Sequence, residues 1–263
     1  DTSTYKPNEF DILEYLYELP EDMKKRFYAQ NFPKIYTFDI ETEYSNEFPY
    51  PEEAKYKVTA ISLVGPDMSC IVYGLNDMDE TKSNLFKERY LQWIQDNDFA
   101  RNLCKVNGWK PKVLYQKFDT EEEMLKHWFT VIVPKIPVLC GWNSWRFDWM
   151  YLTNRITRLF GKGEAYHMIR KSSPTGEIKN ISWQNQDKTR HSIPGPVHTE
   201  ILDYMEIVKK YDYILRPYES YSLNWVSEHA VNAHKIEYDG DLQDLYERDH
   251  AWYYFYNAID SLL

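Results

Sequence analysis

Lys34-Ile35-Tyr36-Thr37-Phe38-Asp39-Ile40-Glu41 is the stretch on which the reading of this chain turns. Its β-branched and aromatic residues favour a pleated strand over a helix. Alternate side chains of a strand share a face, so Asp39 and Glu41 project together while Phe38 and Ile40 project the other way. Two carboxylates side by side are costly to bury unless they are protonated or hold a cation. In isolation the same pair would also suit a strand that ends in solvent. Working outward, residues 57–64 and 69–73 read as two further strands with turn chemistry at Gly65-Pro66-Asp67 between them, an antiparallel start to a sheet.

Downstream the pattern alternates. Residues 85–94 have helical periodicity, 112–116 form a short strand, and Thr120-x-x-Glu123 is a capping box opening a helix that ends by Pro134. Residues 138–142 read as a buried strand, followed by a helix from a Ser144 cap to about Phe160. This order predicts an α/β fold with a mixed sheet. Residues 161–199 read as a loop containing a hairpin, 178–183 against 191–197, and helices are expected at 204–211, 222–231 and 241–263. At the other end, Phe10, Leu13, Leu16 and Leu19 recur at helical spacing before Pro20. Residues 1–33 are therefore read as an arm and 34–263 as the folded domain.

Composition narrows the function classes. With 263 residues, 27% charged and only 9 Gly, the chain suits a folded enzyme and excludes disorder or a fibrous repeat. Apolar runs at 129–133 and 138–140 are broken by Pro134, Lys135 and Pro137, too short to cross a bilayer, so no membrane partner and a cytoplasmic location are expected. The opening Asp1-Thr2-Ser3-Thr4 lacks a secretory pattern and reads as the start of an excised piece. Cys70, Cys104 and Cys140 have no Cys-x-x-Cys spacing, which points to reduced thiols and away from structural zinc. A net charge of −10 argues against a passive nucleic-acid binder with a basic surface. It is compatible with a carboxylate-rich site for divalent cations. Residues 161–199 are a local exception, with Lys162, Arg170, Lys171, Lys179, Lys188 and Arg190 against Glu164, Glu177 and Asp187.

Two further pieces carry chemistry. In Gly141-Trp142-Asn143-Ser144-Trp145-Arg146-Phe147-Asp148 a strand end leads through a polar Asn to an acid in the first turn of a helix. Tyr256 and Asp260 stand four apart on the last helix and share a face. In this order, Phe38–Thr42, Asn143–Asp148 and Tyr256-x-x-x-Asp260 resemble the Exo I, Exo II and Exo III motifs of the DEDD exonuclease superfamily. Phe255 occupies the position at which a DEDDh enzyme has His, whereas Tyr256 fits the DEDDy spacing. Residues 47–62, 140–156, 173–179 and 201–263 are similar to the exonuclease domain of family B replicative polymerases of large tailed bacteriophages. The stretch before Lys34 shows no such counterpart.

The resemblance implies an RNase H-like fold, a mixed five-stranded sheet flanked by helices with the hairpin inserted. It implies a proofreading 3′-5′ DNA exonuclease that removes nucleotides from a single-stranded or mismatched 3′ end, with the remaining polymerase domains as partners. It further implies two divalent cations held by Asp39, Glu41, Asp148 and Asp260, with Asp39 shared between them. Four acids without His or Cys match hard Mg²⁺ or Mn²⁺. Tyr256 would orient the attacking water and Lys235 neutralise phosphate, unless Lys235 is a solvated surface lysine. Asn143 and Phe147 are candidates for contacts with the terminal nucleotides. The alternatives are a catalytically silent exonuclease-fold scaffold and a stand-alone DEDD ribonuclease. No Asp-Thr-Asp-Ser run of a polymerase palm occurs, so polymerase activity is not expected of these residues.

Overall fold

A computed structural model describes residues 18–23, 33–43, 47–184, 188–212 and 218–263. The chain divides into two units, Asp1–Lys34 and Ile35–Leu263. In the first, the described backbone is helical at 18 and at 21–23, and Phe10, Leu13 and Leu16 of the helix expected before Pro20 lie outside the described residues.

In the second unit, β1 (Ile35–Thr42), β2 (Val58–Val64) and β3 (Cys70–Gly74) form an antiparallel meander. Strand β4 (Val113–Lys117) pairs parallel to β3, and β5 (Val138–Gly141) pairs parallel to β1 on its other side. A separate hairpin joins β6 (Ile178–Gln184) to β7 (Arg190–Pro196), and β8 (Glu200–Asp203) adds parallel to β5. The sheet order is β4-β3-β2-β1-β5-β8. This is the expected RNase H-like mixed sheet with its inserted hairpin, and β8 makes the strands six rather than five. At four residues β8 has no alternation of its own to announce it; pairing with β5 defines it.

Helices cover both faces. On one, Phe38, Ile40, Ile61 and Leu63 pack against α3 (Glu121–His127) and α4 (Asp148–Lys171). On the other lie α1 (Glu80–Asp96), α2 (Asp98–Asn107) and the carboxy-terminal α8 (His250–Leu262). Between hairpin and α8 run α5 (Tyr204–Tyr211), α6 (Leu223–Val231) and α7 (Leu242–Arg248). Strand β2 is buried along its whole length, as a strand covered on both faces must be. Cys70, Cys104 and Cys140 are free and buried. Among the described residues no helix is long and apolar enough to cross a membrane.

Three local expectations are corrected. Ser144 does not cap α4; its Oγ donates to the Leu202 carbonyl at 3.0 Å, and the helix starts at Asp148 without a side-chain cap. Residues 161–171 are not loop, because α4 resumes beyond a kink at Gly161 (φ 80°, ψ 161°) and buries Ala165, Met168 and Ile169. The last helix is two, because Asp249 leaves helical geometry to cap α8, accepting the Trp252 N–H at 2.9 Å. The Thr120 cap is as expected, with its hydroxyl accepting the Glu123 N–H at 3.2 Å. The start of α3 is also tied to α4: Arg155 forks onto both oxygens of Glu121 at 2.8 and 2.7 Å, and Glu121 accepts the Val58 N–H at 2.7 Å.

Helix α8 sits close to the sheet because Gly74 has no side chain. A Cβ there would lie 2.5 Å from the Tyr254 ring and hydroxyl, which is anchored on Asn76. Gly74→Ala is therefore expected to cost about 1–3 kcal/mol by overpacking. Gly163→Ala, whose Cβ would meet nothing within 4 Å on an exposed helical turn, should be neutral or stabilise by up to about 1 kcal/mol. Denaturant midpoints of the two variants measure the difference.

Candidate active site

The β1–β2 register opens a space for the carboxylates. Asp39 faces Ser62 and Glu41 faces Ala60 across the pair, and these small side chains leave room for α8 to lay Asp260 over the same face. One oxygen from each of Asp39, Glu41 and Asp260 lies within 4.8 Å of the others. Asp148 arrives from the far side of β1. Pairing of β1 with β5 runs only from Ile35 to Thr37, so the two strands part and the Ile40 N–H is left to donate to Asp148 Oδ1 at 3.4 Å. The chain leaves β1 towards β2 on one side and returns through β5 on the other. Such a switch point at the carboxyl ends of strands is where open α/β sheets form their crevices.

Burial and mutual repulsion dominate the electrostatics. Glu41, Asp148 and Asp260 are buried, and Asp39 is partly so. Burial, reinforced by Asp148, Glu41 and Asp260, raises the Asp39 carboxyl well above its usual range. Burial and the neighbouring Asp260 do the same to Glu41. Asp148 is pushed up to about 7, mainly by burial. Burial raises Asp260 as well, against the counter-effect of the Lys235 ammonium.

Lys235 is not a solvated surface lysine: its Nζ pairs with Asp260 Oδ2, and it lies 5.7 Å from the Tyr256 ring centroid. Burial alone would lower its pKa, but Asp260, Asp39 and Glu41 raise it, so it stays charged. Tyr256 is braced edge-on by Tyr238 at 5.2 Å, and burial with the nearby Asp260, Glu41 and Asp39 lifts its phenol far above the ordinary value. All six sequence candidates for the chemistry thus converge. Asn143 and Phe147 lie on the loop leading into Asp148. Asn143 has a left-handed backbone (φ 59°), and Phe147 packs against the exposed Phe48 at 6.0 Å, which meets Tyr50 at 5.2 Å.

Two supporting residues escaped the sequence reading. Buried Asp203 at the end of β8 accepts the N–H groups of Asn143 and Trp145, both at 3.2 Å, and thereby clamps the Asp148 loop. Asn257, fully buried, donates its Nδ2 to Asp39 Oδ2 at 2.9 Å. Its position three residues before Asp260 on one helix face was the available signal; nothing local marked Asp203.

The donor set suits a hard divalent cation. It is all oxygen, and Asp260 Oδ1 is buried without a hydrogen-bond partner. Because these acids bind protons more tightly folded than unfolded, the metal-free fold loses stability as pH rises from about 4 through about 7, the value to which Asp148 is raised. A cation that replaces the protons removes that loss. The stabilisation by Mn²⁺ over EDTA, read by thermal melting between pH 5 and 8, is expected to grow with pH.

Comparison with known proteins agrees with this geometry. Residues 5–226 match the family described as DNA polymerase family B, exonuclease domain. That match includes most of the stretch before Lys34, correcting the expectation that it has no counterpart; those residues carry no chemical motif by which to see it. The chain is 30% identical over 249 residues to the DNA-directed DNA polymerase of Escherichia phage RB69, covering 94% of this chain and 26% of that protein. It is 31% identical over 244 residues to that of Enterobacteria phage T4, covering 89% of this chain and 25% of that protein. The chain thus spans about a quarter of the length of these relatives. With motifs in order, a mixed sheet and converging acids at its switch point, the chain belongs to the exonuclease-domain family of the family B DNA polymerases.

Proposed function

We propose that this domain, residues 34–263, is a 3′-5′ DNA exonuclease that trims single-stranded or mismatched 3′ ends, the proofreading part of a DNA polymerase whose other domains are its partners. The observation that carries this reading is the convergence of Asp39, Glu41, Asp148 and Asp260, with a buried Asp260 oxygen unpartnered. Asp39, Glu41 and Asp260 would hold one Mg²⁺ or Mn²⁺, and Asp39 with Asp148 a second. When bound, such a pair lowers the pKa of the attacking water and offsets charge on the phosphate.

The chain's own groups have distinct tasks. Tyr256 remains a protonated phenol at any working pH and is suited to orient the water. Lys235, charged beside Asp260, supplies a positive group for the phosphate. Phe147, Phe48 and Tyr50 form an aromatic wall beside Asp148, and stacking on such rings holds unpaired bases without sequence preference. Asn143, whose N–H is held by Asp203, would contact the terminal nucleotide.

Two assays test the proposal. With labelled, 5′-blocked oligonucleotides and Mg²⁺, digestion should run from the 3′ end and be faster on mismatched than on matched termini, because a mismatch has already lost the pairing energy. Equal rates, or loss from the 5′ end, contradict proofreading; preference for RNA favours a ribonuclease, and no cleavage a silent scaffold. Site variants should then rank by role. Asp39→Ala removes the shared ligand and should cost at least ~10³-fold in rate, about 4 kcal/mol of barrier. Tyr256→Phe deletes one hydrogen bond, at about 1–3 kcal/mol, and should cost roughly 5- to 150-fold. Single-turnover rates measure both; an Asp39→Ala variant within tenfold of the parent would make the carboxylate cluster structural.

A further inference from the structure

Asn257 occupies a position that structure alone does not justify. The residue is fully buried on α8, its Nδ2 donates to Asp39 Oδ2 at 2.9 Å, and its Oδ1 is buried with no partner. An unmatched buried acceptor is a cost that an apolar side chain of the same shape would avoid. An Nδ2 donor is the partner that a cation-bound, ionised Asp39 requires, since an amide oxygen in its place would set oxygen against oxygen. The backbone around it is pinned to the same strand pair. Ser62 Oγ donates to the Asn257 carbonyl at 2.9 Å and lies 2.5 Å from Ser261 Oγ, and Ser62 is the residue directly across from Asp39. Amide and carboxylate are thereby referenced to one point in the fold.

We infer that Asn257 is a positioning residue for the divalent-cation site. By engaging one Asp39 oxygen it fixes the rotation of that carboxylate and with it the direction in which Asp39 presents its remaining lone pairs to the cations. A carboxylate free to rotate would have to be ordered at the moment of binding, which weakens affinity; partners of metal ligands that prevent this typically contribute 10–100-fold. The inference rests on the nuclease reading proposed above.

The test is Mn²⁺ titration of the full chain without DNA, followed by electron paramagnetic resonance, on the parent, Asn257→Leu and Asn257→Ala. Leucine nearly matches asparagine in shape and removes both the donor and the unmatched acceptor. Its variant is expected to melt, in EDTA, at or above the parent temperature while binding Mn²⁺ about 10–100-fold more weakly. At saturating Mn²⁺ its KM for a single-stranded oligonucleotide should match the parent's. Asn257→Ala, which only deletes atoms, should show the same loss of affinity at a lower melting temperature, and it carries the test if the leucine variant does not fold. A folded variant that binds Mn²⁺ within twofold of the parent overturns the inference. A parent that binds no Mn²⁺ overturns the nuclease reading instead, so the two failures are distinct.

Discussion

The organisation of the molecule around its site follows from one electrostatic constraint: carboxylates brought within 4.8 Å of one another in a buried crevice cannot all stay ionised without a proton or a cation among them. The nearby structure answers to it. The Lys235 ammonium, the Ile40 N–H and the Asn257 amide each direct positive charge at an acid. None of them neutralises the cluster, as the raised pKa values of all four acids show. That residual demand for positive charge links stability to pH and makes a divalent cation the natural occupant.

Precision comes from placing the acids on elements that cannot move independently. Asp39 and Glu41 lie on a central strand that is paired with β2 along their length and anchored by β5 at its start. Asp260 lies on a helix brought close by Gly74 and pinned through Ser62. Asp148 opens α4, whose approach is fixed by the Arg155–Glu121 fork and by Asp203 beneath the preceding loop. Small shifts in any one element would change distances among charges in a low-dielectric crevice, where interaction energies vary steeply. The packing of the two sheet faces is thus part of the site and not merely its support.

The net charge of −10 bears on how the proposed substrate is held. A polyanion gains nothing from the protein's long-range field, which physiological salt screens beyond about 8 Å. Capture on this reading depends on short-range contacts: aromatic faces at Phe48, Tyr50 and Phe147, and the cations of the site itself. Such a mechanism favours an end that is already unpaired, since base faces must be free to stack.

Sequence patterning alone determined the strands from β1 to β5 and the hairpin, because strand alternation is a local property of the chain; the three motifs and their acids were singled out by their resemblance to the DEDD exonucleases. It did not reveal β8, the continuation of α4 past Gly161 or the break at Asp249, where hydrogen bonding to a neighbour or burial of a helical face outweighs local preference. Lys235 was ambiguous in sequence because its environment is set by Asp260, 25 residues away. Asn257 was marked only by its spacing from Asp260 and Asp203 by nothing local, since their partners are Asp39, 218 residues distant, and the backbone near Asn143, 60 residues distant. Which acids exist was written in the sequence; how close they stand, which donors they face and how far their pKa values rise were decided only when sheet and helices brought distant residues into contact, because charge interactions depend on separation in space and on exclusion of water.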